Sequence, residues 1–309
     1  MSGTGDRGRL IEDRLIEVVA PGPYATVQDL GRPGFAHLGV PRSGAADAPS
    51  LRLANRLVGN PESAAGIELT LGGAVLRFAA GAWAALTGAP CPVTVARRPA
   101  GMCAPVWVPA GGELRVGVPP HGLRTYLAVR GGIGVAPVLG SRSTDSLSGI
   151  GPPPLRAGTA LPFETDPPAG AIGVDLAPQR PLPRCPAVRL VPGPRDDWFA
   201  PGAVAALCAA PYEITPDSNR VGVRLRGAAP ERAREGELPS EGMPLGAVQV
   251  PPGGQPIVFL ADHPPTGGYP VIGVVASGDV PLVAQLRPGD RLRFRPAQET
   301  KPMSSYRRS

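Results

Sequence analysis

Four polar side chains, Arg32, Arg42, Ser43 and Asp47, fall inside one glycine- and proline-punctuated stretch, TVQDLGRPGFAHLGVPRSGAADAPSLRLANRLVGN, residues 26–60. Guanidinium, hydroxyl and carboxylate groups beside glycine backbones are what a site for an anion or a carbonyl oxygen requires. Two other stretches have a similar make-up, the second with two strand-like runs that end in polar loops. VLGSRSTDSLSG contains Ser141, Arg142, Ser143, Thr144 and Asp145, and SEGMPLGAVQVPPGGQPIVFLADHPPTGGYP contains Glu241, Gln249, Asp262, His263, Thr266, Gly267, Gly268 and Tyr269. The adjacent glycines after Thr266 permit close approach of a ligand to main-chain N–H groups. A plain glycine turn with Tyr269 packed at its base is the alternative. His263 beside Asp262 is either an oriented acid or base, or a solvated loop histidine.

These loops need rigid elements to hold them. After Gly44 a helix is predicted from Asp47 to Val58: Asp47 is an N-cap, Pro49 sits in the first turn, and Leu51, Ala54, Leu57 and Val58 share a face before Gly59-Asn60 ends it. Arg52 and Arg56 then point outward as surface charges. Elsewhere the chain of 309 residues carries 42 prolines and 42 glycines beside a hydrophobic fraction of 42%. So much turn chemistry with so much apolar residue implies short strands joined by many turns, a mainly β fold with a few short helices. Strands are expected from Leu15 through Val129, including Gly66–Leu71 and Arg124–Val129, and again from Val188 to Phe294. A short helix is expected between Asp196 and Ala209, with Trp198, Val204 and Leu207 inward. The proline-rich run before Pro186 places a boundary there: a tail at 1–14, an N-terminal β-rich subdomain at 15–186, a C-terminal one at 187–296, and a second tail at 297–309.

Several function classes are disfavoured. The charge is +6 but the arginines are scattered, Lys301 is the sole lysine and aromatics are 5%, which is not the clustered pattern of a nucleic-acid binder. Cys91, Cys103, Cys185 and Cys208 form no C-x-x-C pair, and the three histidines are far apart, so no metal site is expected. No apolar run reaches membrane-span length and the start lacks a signal-peptide core, which points to the cytoplasm. With one lysine, outside any glycine-rich loop, a P-loop is absent. No G-x-S-x-G elbow occurs either, and GGIGVAPVLG is a strand-end turn and not a dinucleotide loop.

The motifs TVQDLGRPGFAHLGVPRSGAAD with ANRLVGN, IELTLGG, YLAVRGGI with VLGSRSTD, SEGMPLGAVQVPPGGQPIVFLADHPPTGGYP and QLRPGDRLRF, in this order from about Leu15 to Phe294, resemble the carboxyltransferase subdomain A and B family. That family includes KipA-like proteins, the C subunit of bacterial 5-oxoprolinase and the second half of the urea amidolyase carboxyltransferase region. The resemblance implies two cyclophilin-like β-barrel subdomains. It also implies a KipI-like partner, the 5-oxoprolinase B subunit, and an A subunit with which 5-oxoproline is opened to glutamate at the expense of ATP. One departure is ADHPPTGGYP, where many members have arginine, then glutamine and threonine, after the aspartate.

On the lactam-opening reading, which the chain length and its want of biotin-carrying or amidase regions favour, Arg32, Arg142 and Arg220 are candidates for a substrate carboxylate or phosphate. Ser43, Ser143 and Thr266, with the backbones of Gly44, Gly267 and Gly268 and with Tyr269 beside them, would serve a carbonyl or oxyanion. Asp47, Asp145, Glu241 and Asp262 would take a proton or hold a cation, while Asn55 and Gln249 brace loops. Gly31–Asp47, Ser141–Asp145 and Asp262–Tyr269 are expected to face one another across a cleft. The alternatives are a biotin-dependent carboxyltransferase half acting on urea or a related amide, and a non-catalytic protein that binds its KipI-like partner.

Overall fold

The computed structural model describes residues 14–163, 171–236 and 238–297. The tails expected at 1–14 and 297–309 lie outside the described residues, save for Arg14 and Ala297. Residues 15–163 form two sheets around one apolar core. One has six strands, in the order Ala160–Pro162, Leu15–Pro21, Ala74–Phe78, Glu113–Val116, Val93–Val95 and Arg98–Ala100. The other has five: Tyr24–Gln28, Gly66–Thr70, Arg124–Val129, Ala82–Gly88 and Pro105–Val108. Alternation sets which side chains enter the core: Ile16 and Val18 point in while Glu17 points out, and Ala74, Leu76 and Phe78 are buried while Arg77 is exposed. The central strand Arg124–Val129 is buried on both faces, because the helix Ala48–Leu57 packs on it and on Ala82–Gly88 from the side away from the core.

That helix lies where its signals place it. Asp47 caps it, accepting from Ser50 N–H at 3.2 Å and Ser50 Oγ at 2.7 Å. Leu51, Ala54 and Leu57 are buried against Ala85, Tyr126 and Ala128, and burial of each leucine contributes about 1.5–3 kcal/mol. A side chain at Gly66 would put its Cβ 2.6 Å from the Leu127 carbonyl and 2.9 Å from Leu51 Cδ1, so only glycine admits the helix this close. Arg52 and Arg56 sit on the solvent face and pair with Glu62.

Residues 187–296 form a closed seven-stranded barrel, in the order Ala187–Pro192, Val271–Val275, Ala247–Gln249, Ile257–Phe259, Gly222–Arg226, Tyr212–Ile214 and Arg291–Pro296. Closure comes from the last strand running parallel to the first, which leaves no open edge. The helix expected over Asp196–Ala209 is two pieces, a 3₁₀ turn at Asp196–Trp198 and an α-helix at Ala203–Ala209. Pro201 and the left-handed Gly202 (φ 87°) separate them. Leu207 is fully buried, with Trp198 and Val204 packed at the margin of the barrel core.

Candidate functional site

The two halves meet through buried polar groups, and Glu68 is the centre of this seam. It stands in the apolar strand Gly66–Thr70 and is 1% exposed. Its carboxylate accepts from the Ala46 N–H at 3.0 Å and from Tyr126 Oη at 2.8 Å. It also pairs with Arg220 Nη1 from the barrel half and, at 3.3 Å, with Arg124 Nε. Burial alone pushes the Glu68 carboxyl up, but the two guanidinium groups outweigh it and hold the group below its ordinary value. Every nitrogen of Arg220 is engaged: Nε and Nη2 grip Asp262 at 2.9 and 3.0 Å, Nη1 meets Glu68, and Nη2 also reaches the Gly44 carbonyl at 2.6 Å. Burial lowers the affinity of Arg220 for its proton, yet Glu68 and Asp262 more than compensate and keep it charged. Asp262 in turn accepts from Ser146 N–H at 3.0 Å and Ser146 Oγ at 2.6 Å.

Gln285 stitches the seam a second time. Its Oε1 accepts from the Leu123 and Arg124 N–H groups at 3.0 and 2.8 Å, and its Nε2 donates to Asp47 Oδ2 at 2.8 Å and the Arg124 carbonyl at 2.9 Å. Arg124 Nη1 donates to the Ala284 carbonyl. Burial raises the Asp47 carboxyl above its usual range despite the hydrogen bonds from Gln285 and Ser50.

A further node lies where the first loop meets Ser141–Asp145. Asp29 accepts from Ser141 Oγ at 2.6 Å, from the Gly31 and Arg142 N–H groups at 2.7 Å each, and from Ser143 Oγ. Arg32, 1% exposed, donates to the Ser143 and Val138 carbonyls, and its Nη1 has no protein partner among the described residues. Ser43 is also buried, its Oγ without a partner among the described residues, and its left-handed backbone (φ 54°) is held next to Gly44 (φ 94°). A Cβ on Gly44 would stand 2.8 Å from both Gly31 N and the Leu30 carbonyl carbon, so the loop closes on itself only with glycine there.

The structure thus brings Arg32, Ser43, Gly44, Asp47, Arg142, Ser143, Arg220 and Asp262 into the seam and the loop node beside it. Asp145 belongs to the same loop, but its carboxylate caps its own turn through Leu147 N–H, Ser148 N–H and Ser148 Oγ at 2.8, 3.1 and 2.7 Å. Arg142 Nε donates to the Val135 carbonyl at 2.8 Å. Glu241, Thr266 and Gly267 are set apart in a two-stranded ribbon, Glu241–Gly242 against Thr266–Gly267, with Glu241 ion-paired to the partly exposed Arg195. Gly268 and Tyr269 follow that ribbon, where the Gly268 carbonyl accepts from Leu238 N–H and the Tyr269 carbonyl from Gln249 Nε2. His263 Nδ1 lies 2.8 Å from the Pro264 carbonyl, and burial lowers its pKa. Asn55 Nδ2 donates to the Glu62 and Ala64 carbonyls. Sequence reasoning misses Glu68, Arg124, Gln285 and Asp29. The available signal for the first two is a lone charge in an otherwise apolar strand, IELTL or RTYLAV.

A cleft of about 540 Å³ opens over the seam, lined by Tyr24, Leu71, Leu123, Ser146, Asn219 and Val221 among others, with Arg124 and Arg220 reaching it from below. Burial raises the Tyr24 phenol above its usual value, opposed by Arg220, so it remains a hydrogen-bond donor. The charges under the cleft are fixed and mutually neutralised, which suits a mainly apolar site holding a neutral polar group against preorganised dipoles. Among the described residues no group of three or more histidine, cysteine or acidic side chains is placed to hold a metal ion, and no helix is long and apolar enough to cross a membrane.

Residues 38–296 match the family described as carboxyltransferase domain, subdomain A and B. The chain is similar to the C subunit of the Escherichia coli 5-oxoprolinase, 38% identical over 91% of this chain and 90% of that protein. Among solved structures it resembles TTHA0988, with a TM-score of 0.83 and 41% identity over 91% of this chain, while spanning 56% of that one. The urea amidolyase of K. lactis superposes with a TM-score of 0.84 at 32% identity, over 91% of this chain but 18% of the larger enzyme.

Proposed function

The chain belongs to the carboxyltransferase domain family, subdomains A and B, and from that premise we propose that it is the C-type subunit of an ATP-dependent 5-oxoprolinase. The observation that carries this reading is the 38% identity with the C subunit of the E. coli 5-oxoprolinase, extending over nine-tenths of both chains. The proposed reaction opens a five-membered lactam to glutamate in the company of A and B subunits, the latter KipI-like. A lactam carbonyl reacts poorly until its oxygen is activated, and ATP would supply that activation by phosphorylation. In this chain the seam cleft would bind and orient the lactam while the buried Glu68, Arg124, Arg220 and Asp262 keep the walls fixed. The arginines under the cleft are already neutralised by Glu68 and Asp262, so a triphosphate has little to hold it there. ATP is therefore assigned to the assembled complex.

The test is to co-express this chain with A and B subunits and follow ATP-dependent glutamate release from 5-oxoproline. Activity is expected only with all three; activity that persists without this chain would refute the assignment. A second reading, a biotin-dependent carboxyltransferase half acting on urea or a related amide, is favoured by the match to urea amidolyase. It is distinguished by carboxyl transfer from carboxybiotin in place of glutamate release.

A further inference from the structure

The seam cleft does not end at the seam. It shares Leu147, Asn219 and Val221 with a second hollow of about 440 Å³ on the flank of the barrel, where Gln249, Tyr269 and Arg224 are found. Together the two make one elongated trough. Its charged groups differ in kind. Arg124 and Arg220 are buried and paired with Glu68 and Asp262. Arg224 is exposed at the far end, and its guanidinium has no partner among the described residues. Asp217 borders a neighbouring hollow together with Arg224, but no ion pair joins them.

Backbone hydrogen bonds tie Arg224 to the turn that carries Asn219. Arg224 lies in the barrel strand Gly222–Arg226, in register with Ile257, and its N–H donates to Ser218 Oγ at 3.0 Å. The turn before that strand is closed by Asn219, whose Oδ1 accepts from the Val221 and Gly222 N–H groups at 2.8 and 3.3 Å. With Oδ1 committed to the turn, the amide orientation is set and Nδ2 remains a donor without a protein partner among the described residues. A neutral donor where the two hollows join and a cation at the outer end match a ligand with a carbonyl oxygen at one end and an anionic group at the other.

We infer that the trough binds a small amide-bearing carboxylate, with Asn219 Nδ2 donating to the amide carbonyl and the Arg224 guanidinium receiving the carboxylate. This rests on the lactam reading above and adds which residues read which part of the substrate. Arg224 is the specificity-determining residue: the guanidinium fork matches a carboxylate, and an uncharged lactam or urea leaves it idle. Because Arg224 stays partly solvated, its discrimination is about tenfold and not the larger factor of a buried pair.

The test uses calorimetric titration of the full chain, alone and co-expressed with its partner proteins, with 5-oxoproline and with 2-pyrrolidinone, the same lactam without the carboxylate. 5-Oxoproline is expected to bind at least about tenfold more tightly. Arg224→Gln should erase that preference while leaving 2-pyrrolidinone unaffected, and Arg226→Gln, an exposed neighbour paired with Glu213, should change neither. Equal affinities, a preference that survives Arg224→Gln, or no binding of either ligand overturns the inference. If the preference holds but the assembly of all three proteins releases no glutamate, the lactam-opening reading falls and the site stands. If glutamate is released and Arg224→Gln leaves KM unchanged, the site falls and the reading stands.

Discussion

Replacing Glu68 with glutamine tests whether the seam holds the two halves together through charge. The side chain keeps its size, and the Tyr126 hydroxyl and Ala46 N–H still find an oxygen, so shape and packing change little. The lost quantity is one negative charge between Arg220 and Arg124, at a position where all three side chains are at most 4% exposed. Asp262 continues to neutralise Arg220, so the deficit falls on Arg124, which keeps the Ala284 carbonyl but no carboxylate. Breaking a buried pair by removing one member costs about 3–5 kcal/mol, about a fifth or more of the roughly 5–15 kcal/mol that separates folded from unfolded protein. Urea unfolding with linear extrapolation at pH 7 reads this directly. The pH dependence supplies a second signature. The folded state holds the Glu68 carboxyl below its unfolded value, so its contribution is complete above the ordinary glutamate range and is lost as pH falls through the folded value. The gap between wild type and Glu68→Gln must therefore narrow toward acid. A loss under about 1 kcal/mol at pH 7, the size expected of an exposed pair, or a gap that widens in acid, would refute the argument.

Gln285→Ala strands the half-buried Leu123 N–H and the buried Arg124 N–H, while the Arg124 carbonyl keeps the Ala89 N–H and Asp47 Oδ2 keeps the Ser50 hydroxyl. The variant should lose about 1–3 kcal/mol for the groups left unsatisfied and show faster amide hydrogen exchange at Leu123 and Arg124; unchanged exchange there would count against the seam as described. Arg56→Ala, by contrast, removes an exposed partner of Glu62 and should shift stability by no more than about 0.5 kcal/mol in the same urea assay. A loss above about 1 kcal/mol would mean that this surface pair matters in a way its exposure denies.

Local structure is largely legible in the chain. The helix Ala48–Leu57 follows from Asp47, Pro49 and the Leu51, Ala54, Leu57 spacing because caps and periodicity act within a few residues. The one expected helix that breaks, between Asp196 and Ala209, does so at Pro201-Gly202, where local punctuation prevails over the apolar spacing. The site is legible only as candidate loops. Ser43, Gly44 and Asp262 can be named, but their relation cannot, and Glu241 and Thr266 resemble them in sequence while forming a separate ribbon.

The sequence by itself determined a β-rich chain and its family, since composition, turn residues and five ordered motifs are properties of the string. Which polar groups work together was decided by the tertiary structure alone. Glu68, Arg124, Arg220, Asp262 and Gln285 are separated by long stretches of chain, and each taken singly is an ordinary polar residue. They become one buried network because two apolar cores, packed against each other, exclude water from the seam. In that setting an unpaired charge is too costly to persist, so each must find the others. The same exclusion leaves Arg224, outside the seam, as the cation of the trough without a protein partner among the described residues.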